Sequence, residues 1–250
     1  MNLVRLRALS VVLLVVVAFS CNKDEATPPF DINNSVKPAD FLIDRDYTSL
    51  NIEVAWVDGA KPSTTSLNNM ITFISDHTNK SAGITVTQRT IPSPGKTTVD
   101  SDFLRSFEKS QRTTVTSGKK LTLWIVFLDA EYSTSTSTEK VLGVAYGASS
   151  LAVFSKSTYA LTPYGENARI TLETFVLSHE MGHIFGLVNN GTFMLTDHQD
   201  TAHGAHCSNT ECLMYWKAQS NLDLSGPLDA NSVPKLDDNC LADLRAAGGK

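Results

Sequence analysis

The segment His179-Glu180-Met181-Gly182-His183 places the strongest constraint on what this chain can fold into. Two histidines four residues apart leave the same face of a helix, about one turn from each other. That spacing suits two ligands of a single tetrahedral zinc ion. Glu180 follows the first histidine, where its carboxylate reaches a water on the metal without having to bind the metal. The segment therefore predicts a helix that carries a hydrolytic zinc site.

The first 20 residues have the pattern of a targeting segment. Two arginines precede an almost purely apolar stretch at 9–19, which is short for a membrane span and is followed by polar residues. Ser20 stands just before Cys21, an arrangement that resembles a bacterial lipoprotein signal, in which the cysteine is lipidated and becomes the mature N-terminus. We predict a lipoprotein signal peptide at residues 1–20 and lipidation at Cys21, with ordinary cleavage near Ser20 as the alternative.

Composition beyond the leader predicts one domain on a tether. Residues 21–39 are polar, contain prolines and lack an apolar period, which favours a flexible tether before a single domain at residues 40–250. A hydrophobic content of 42% suits one sizeable core, and a net charge of −5 without a basic stripe argues against nucleic-acid binding. We expect a monomeric outer-membrane lipoprotein that faces the periplasm or the cell surface.

The apolar patterns predict alternating strands and helices before the metal helix. Alternating apolar and polar residues predict the first strand, and apolar residues at helical spacing predict the first helix. A nearly continuous apolar run predicts a strand that is buried on both faces. In chain order, we predict a strand at 50–57, a helix at 66–77 capped by Thr65 or Ser66, a strand at 84–91, a helix from Asp100 or Ser101 to 112, a strand at 121–128, one or two strands within 141–154, a loop at 159–167, the metal helix at 168–186 and a C-terminal helix at 237–247. This order predicts an α/β fold with one mixed sheet.

Residues after the metal helix carry a family resemblance. Gly186 lies three residues after His183, and Met214 lies in Cys212-Leu213-Met214-Tyr215-Trp216, which match the glycine and the Met-turn methionine of the metzincin clan of zinc metalloproteases. The run His206-Cys207-Ser208-Asn209-Thr210-Glu211-Cys212-Leu213-Met214 resembles the archaemetzincins, in which the third histidine is followed by Cys, four residues, Cys, one residue and Met. The resemblance covers about residues 171–216. It implies a zincin-type fold with a twisted sheet, an active-site helix, a Met-turn and a C-terminal helix.

The resemblance also implies a ligand set and a reaction. The metzincin position three residues after the glycine holds Asn189, and a neutral amide is a poor zinc ligand. An insertion would then supply the third ligand, at His206 because its distance to Met214 fits the family, with His203 and His198 as the alternatives. One catalytic zinc, with Glu180 as general base, would hydrolyse the peptide bonds of a protein or peptide substrate.

In the metzincin arrangement, an extended substrate pairs with an edge strand of the sheet above the metal helix. The segment 141–154 is the expected source of that edge.

The cysteines depart from the archaemetzincin pattern. Those proteins hold a second, structural zinc on four cysteines, whereas Cys240 stands alone in the last part of this chain, which argues against a second zinc. An exported protein permits one disulfide, so we predict one among Cys207, Cys212 and Cys240 without choosing the pair. The residues 196–200 and His203 would hold a second cation, orient the zinc ligands, or form a polar surface loop.

Two other functions compete with peptidase activity. The first is a surface lipoprotein that acts as a binding module, with a metzincin-like fold and a degenerate or structural zinc site; Asn189 is the residue in its favour. The second is a zinc hydrolase acting on an amide other than a peptide. About one zinc per chain with a coordinated water favours an enzyme over the module, and a closed four-ligand site favours the module.

Overall fold

The fold is organised by a five-stranded sheet, in a computed structural model that describes residues 36–162, 165–217 and 232–250. The strands of the described residues are, in chain order, β1 (Ser49–Trp56), β2 (Ile84–Thr90), β3 (Thr98–Val99), β4 (Lys120–Leu128), β5 (Glu131–Tyr132), β6 (Gly143–Gly147) and β7 (Ser150–Phe154). The main sheet has the order β2-β1-β4-β7-β6, while β3 and β5 pair with each other. Four strands of the main sheet are parallel, and β6 runs antiparallel to β7 at one edge. The predicted mixed sheet is therefore confirmed.

Helices connect the strands and cover the sheet. The helices of the described residues are α1 (Pro38–Leu42), α2 (Thr64–His77), α3 (Ser101–Gln111), α4 (Ser155–Leu161), α5 (Glu166–Ile184) and α6 (Asp238–Ala246). Parallel neighbours need a crossover connection, and α2 supplies it between β1 and β2 while α3 lies on the way from β2 to β4. The segment predicted to hold one or two strands, 141–154, forms both β6 and β7.

Strand β4 lies in the middle of the sheet. It pairs with β1 on one side and β7 on the other, for example Val54 with Ile125 and Ile125 with Leu151. Every residue of β4 except Lys120 is buried. A parallel strand that is covered on both faces consists almost entirely of apolar residues. The apolar run at 121–128 therefore predicted strand β4 from the sequence.

The metal helix α5 is buried along most of its length and is held to α2 by a carboxylate. Glu173 Oε2 accepts hydrogen bonds from the Ser63 backbone N–H at 2.9 Å and from the Ser66 hydroxyl at 3.0 Å. Its other oxygen accepts from Arg169 at 2.9 Å. Hydrogen bonds to a charged group contribute about 1.5–3 kcal/mol each, so this buried carboxylate fixes the position of α5 against the start of α2.

Gly186 ends α5, as its place in the sequence predicted. It adopts a φ of +74°, which favours glycine, and a Cβ there would lie 2.7 Å from Pro38 Cγ. Its N–H donates to the His183 carbonyl at 3.0 Å, and the Leu187 N–H donates to the Gly182 carbonyl at 3.1 Å. These bonds satisfy carbonyls at the end of the helix and turn the chain back over α1.

Two local predictions were wrong. The cap of α2 is Ser63, whose hydroxyl accepts from the Thr65 N–H at 3.1 Å, because Ser66 is occupied by its bond to Glu173. The predicted loop at 159–167 is shorter, since α4 extends to Leu161 and α5 starts at Glu166. Helix α4 has no side-chain cap and a sequence rich in Ser and Thr, so no local signal marked it.

The folded part of the chain extends upstream of Asp40, where the domain was expected to begin. Val36 is buried, and α1 starts at Pro38. The predicted signal peptide, the lipidation site Cys21 and the predicted tether up to residue 35 lie outside the described residues. Among the helices of the described ranges, none is long and apolar enough to cross a membrane.

Candidate metal centre

Three imidazoles converge at one place beside α5. His179 and His183 come from successive turns of the helix. His206 follows the inserted segment, which we define as residues 190–204, and its ring lies against the other two. His179 Nε2 and His206 Nε2 are 3.3 Å apart, and one ring nitrogen of each of the three lies within 4.8 Å of the others. Tetrahedral zinc at about 2.0–2.1 Å from nitrogen needs ligands about 3.4 Å apart. The donor set and its spacing therefore fit a zinc ion.

Backbone carbonyls orient two of the three rings. His179 Nδ1 lies 2.7 Å from the Leu213 carbonyl oxygen, and His206 Nδ1 lies 2.6 Å from the His203 carbonyl oxygen. A carbonyl only accepts, so each Nδ1 carries the proton and each Nε2 presents a lone pair. Carbonyls in this position fix the tautomer and the ring orientation of metal-binding histidines.

Burial keeps the three imidazoles neutral. It lowers the pKa of His179 to about 3, with the charge of His206 acting in the same direction. Burial also lowers the pKa of His183 well below its usual value, assisted by the other two histidines, and lowers the pKa of His206. Neutral imidazole is the form that binds a metal, so near neutral pH the three rings are ready to act as ligands.

Glu180 lies between α5 and the edge strand β6. Its side chain is buried, and burial raises the pKa of Glu180 to about 8, while a hydrogen bond from the backbone of Ala145 acts in the opposite direction. Gly143 allows this close approach, because a Cβ at Gly143 would lie 3.0 Å from Glu180 Oε1 and 2.6 Å from Val176 Cγ1. The carboxylate therefore lies against the strand at the sheet edge, on the helix that carries His179 and His183.

Met214, the residue that the resemblance identifies with the Met-turn methionine, packs against α5 next to His183. It is fully buried, and its thioether lies against Gly182, the residue before His183. A Cβ at Gly182 would overlap the Met214 sulfur and lie 3.1 Å from its methyl carbon. Glycine at this position of the helix therefore makes room for the methionine under the site.

Replacing Gly182 by alanine is expected to destabilise the protein, because the added methyl group cannot fit beside Met214. Overpacking of this kind costs about 1–3 kcal/mol in the free energy of unfolding. Chemical denaturation measures the loss. The matched control is the double variant Gly182→Ala/Met214→Ala, in which the shortened side chain leaves room for the methyl group. Strictly additive losses in the double variant would contradict a direct clash.

The inserted segment places the other candidate ligands away from the three imidazoles. The Asn189 side chain donates to Gln199 Oε1 at 3.2 Å, inside the insertion. His203 bonds Asp200 at 2.6 Å and stacks on Trp216, with ring centroids 3.8 Å apart. Of the three histidines considered for the third position, the structure brings His206 to His179 and His183 and does not bring His203 or His198.

The cysteines form a second group instead of the predicted disulfide. Cys207, Cys212 and Cys240 are buried free thiols. The sulfurs of Cys212 and Cys240 are 3.6 Å apart, whereas a disulfide needs about 2.05 Å. His198 joins them, with Nδ1 at 3.3 Å from Cys207 Sγ. The disulfide prediction is therefore wrong for this structure, and no local signal in the sequence pointed to His198 as the neighbour of the cysteines.

Two solved structures were found to be similar to this chain. Archaemetzincin from Methanopyrus kandleri is similar with a TM-score of 0.50 at 14% identity, over 80% of this chain and 96% of that one. Metalloproteinase-II from Bacteroides fragilis has a TM-score of 0.45 at 12% identity, over 82% of this chain and 55% of that one. The first likeness confirms the predicted zincin-type fold. A comparison with curated proteins gives no match.

A family comparison covers most of the sequence. The family model for metallo-peptidase family M12 matches residues 43–225, which include the sheet, α5, the inserted segment and Met214. The chain therefore belongs to metallo-peptidase family M12.

Proposed function

We propose that this metallopeptidase is a zinc-dependent endopeptidase whose metal is held by His179, His183 and His206. The observation that carries the proposal is the convergence of three neutral imidazoles, one buried and two partly buried, at the helix that also carries the buried side chain of Glu180. When bound, zinc supplies Lewis acidity toward a water molecule and a peptide carbonyl. The three histidines would hold the ion with three protein ligands, the number found in catalytic zinc sites.

Glu180 is the general base in this proposal. It follows His179 on α5 without joining the three imidazoles, so its oxygens would be available to accept a proton from a water molecule at the site. Burial raises its pKa to about 8, so the carboxylate has a high affinity for the proton it must accept, while the charge of a bound ion opposes this effect. The same carboxyl then returns the proton to the departing amine.

The edge strand β6 is the proposed binding site for the backbone of the substrate. It is the last strand in the order of the main sheet, and it lies directly against Glu180 through Gly143 and Ala145. An extended peptide that adds to this edge forms backbone hydrogen bonds along β6 and presents a peptide bond to the three histidines. An edge of this kind accepts a stretch in the middle of a chain, which favours endopeptidase activity.

The position of His206 supports the enzyme over the binding module with a degenerate site. That alternative relied on Asn189 in place of a ligand, and we propose His206, with Nε2 3.3 Å from His179 Nε2, as the third ligand. Zinc analysis and digestion of a peptide library test the proposal. Cleavage at internal bonds, lost when zinc is removed and restored when it is added back, is the expected result. A zinc-loaded protein that binds peptides without cutting them would support the module instead.

We further propose that the enzyme acts outside the cytoplasm on a lipid anchor at Cys21. The supporting features are the apolar leader and the small residue before the cysteine. In a bacterial host, the wild-type protein is expected to incorporate labelled palmitate and to fractionate with the outer membrane. Cys21→Ser is expected to lose both properties and Cys240→Ser to keep the label. Equal labelling of Cys21→Ser and wild type would contradict lipidation at this position.

A further inference from the structure

We propose that the buried ion pair of Glu108 and Arg112 positions the substrate-binding edge of the sheet. The pair lies at the end of α3 and holds the hairpin of β6 and β7, so that the part of β6 open to a peptide ends at Ala145. Glu108 and Arg112 act through this hairpin and are therefore positioning residues. The inference rests on the proposed function, in which β6 binds the substrate backbone.

The ion pair is removed from solvent. Arg112 Nη1 lies 2.7 Å from Glu108 Oε1, and the two side chains are 0% and 1% exposed. Taking two charges out of water costs free energy that their attraction offsets only when the geometry is excellent, and well-packed apolar residues in the same place are often as stable or more so. Net stability is therefore a weak reason for an ion pair here. What the pair supplies is a set of directed hydrogen bonds.

The hydrogen bonds of the pair reach the turn of the hairpin. Glu108 Oε1 accepts from the Ser150 hydroxyl at 2.7 Å, and Arg112 Nη1 donates to the Ser149 hydroxyl at 3.2 Å. Arg112 Nη2 donates to the Thr122 carbonyl of β4 at 3.0 Å. Ser149 and Ser150 stand where the chain turns from β6 into β7. The pair therefore fixes the hairpin against both α3 and the middle strand of the sheet.

A β-bulge lies next to this turn. In the register of the two strands, Ala145 is opposite Leu151 and Gly147 is opposite Ser150. Tyr146 is then an extra residue on β6, opposite no residue of β7, which is the arrangement of a bulge. Ser150 belongs to the pair closest to the turn, and its hydroxyl bonds the ion pair. This bond therefore fixes the strand pairing on the far side of the bulge.

Helix α3 also contacts the bulged residue itself. Arg105 Nη1 donates to the Tyr146 carbonyl at a long 3.4 Å. The Tyr146 side chain is 4% exposed, and this burial raises the pKa of its hydroxyl well above the usual value, with the charge of Glu108 acting in the same direction. The hydroxyl makes no direct hydrogen bond within the described residues, so Glu108 acts on it through its charge. The carbonyl and the hydroxyl of Tyr146 therefore both face α3.

The backbone of β6 alternates between its partner strand and the open edge. The Phe154 N–H donates to the Leu142 carbonyl at 2.9 Å, which directs the backbone groups of Leu142 and Val144 toward β7. The groups of Gly143 and Ala145 then point away from β7, to the side where an additional strand can pair.

The open part of this edge ends at the bulge. The backbone of Ala145 forms a hydrogen bond with Glu180, as expected for groups that point to the open side. The next two residues, Tyr146 and Gly147, are buried. A peptide that joins the edge is therefore expected to pair with Gly143 and Ala145 and to leave the strand at Tyr146. A slip of the register by one residue would exchange the backbone groups that face the peptide, so the fixed bulge matters for binding.

Ser150→Ala tests the role of the pair, because it removes one bond between the pair and the hairpin and leaves both charges in place. The KM for a peptide substrate is expected to rise about 2–10-fold, the range that one hydrogen bond contributes, with kcat close to that of wild type. Strand pairing binds the substrate equally before and during the reaction, so its weakening raises KM alone. Zinc content and the midpoint of thermal unfolding check that the variant is loaded and folded.

Ser106→Ala is the matched control. Ser106 is an exposed residue of α3, and its hydroxyl donates to the Asp102 carbonyl of the same helix at 3.0 Å. This variant is expected to keep the KM of wild type. Equal KM values in wild type and Ser150→Ala would overturn the role of the pair, and so would a fall of kcat in proportion to the folded fraction with KM unchanged. A wild type that cleaves no peptide would instead refute the proposed function.

Hydrogen exchange provides a test that needs no change in the hairpin. Zinc-loaded Glu180→Gln is mixed with a peptide that wild type cleaves, and amide exchange is followed by NMR. The amide of Gly143 is expected to exchange more slowly when the peptide is bound, whereas those of Tyr146 and Gly147 keep their rates. Slower exchange that extends through Gly147, or unchanged exchange at Gly143, would overturn the ending of the edge at Ala145.

Discussion

Glu180→Gln is expected to reduce peptide cleavage by about 10²–10⁴-fold, the usual contribution of a general acid–base group, while the zinc content stays that of wild type. The physical reason is the position of the side chain. Glu180 follows His179 on α5 and is buried against β6, but it is not one of the converging metal-binding groups. Glutamine has nearly the same shape, so it keeps the packing against Gly143 and removes only the ability to take a proton. The rate constant kcat on a peptide substrate measures the loss of cleavage, and elemental analysis measures whether the zinc content is unchanged.

Glu166→Gln is the matched control for this substitution. Glu166 lies on the first turn of the same helix, and its side chain is 76% exposed. The change in charge is the same, yet Glu166→Gln is expected to keep the activity of wild type. A Glu180→Gln variant that cleaves within a few-fold of wild type would exclude Glu180 as the base. Loss of zinc in that variant would mean that the carboxylate binds the metal.

Local patterns in the sequence identified the metal helix and most of the sheet. The two histidines four residues apart, the stop at Gly186 and the apolar run of β4 each depend on neighbours along the chain, and a periodic pattern records such neighbours directly. The third histidine required a different signal, the spacing between His206 and Met214. The structure brings that histidine to the other two, with Nε2 of His206 3.3 Å from Nε2 of His179.

The arrangement of the cysteines could not be predicted from the sequence, and the reason is physical. His198 and Cys240 are 42 residues apart, and they meet only because α6 returns to the inserted segment. Asp243, which orients His198, comes from that helix as well. No periodicity relates residues on two irregularly connected segments, so counting cysteines alone favoured a disulfide. The capping error at α2 has a similar origin, since a contact with Glu173 on a distant helix occupies Ser66.

His206→Ala is expected to remove zinc from the three-histidine centre and abolish peptide cleavage. His179 and His183 alone give two ligands on one helix face, which leaves half of a tetrahedral site unfilled. Replacing an outer partner of a ligand already costs about 10–100-fold in metal affinity, so the loss of a ligand itself is expected to exceed that range. Isothermal titration of the metal-depleted protein with zinc, together with the cleavage rate, measures the effect.

His203→Ala is the control that makes this result specific. His203 lies three residues earlier, and it holds His206 through its backbone carbonyl rather than through its ring. Its ring contacts Asp200 and Trp216, away from the converging nitrogens. The substitution keeps the carbonyl, so His203→Ala is expected to retain zinc and at least a large part of the activity. If His203→Ala lost the catalytic metal and His206→Ala kept it, the third ligand would be His203, and the inserted segment would have to refold when zinc binds.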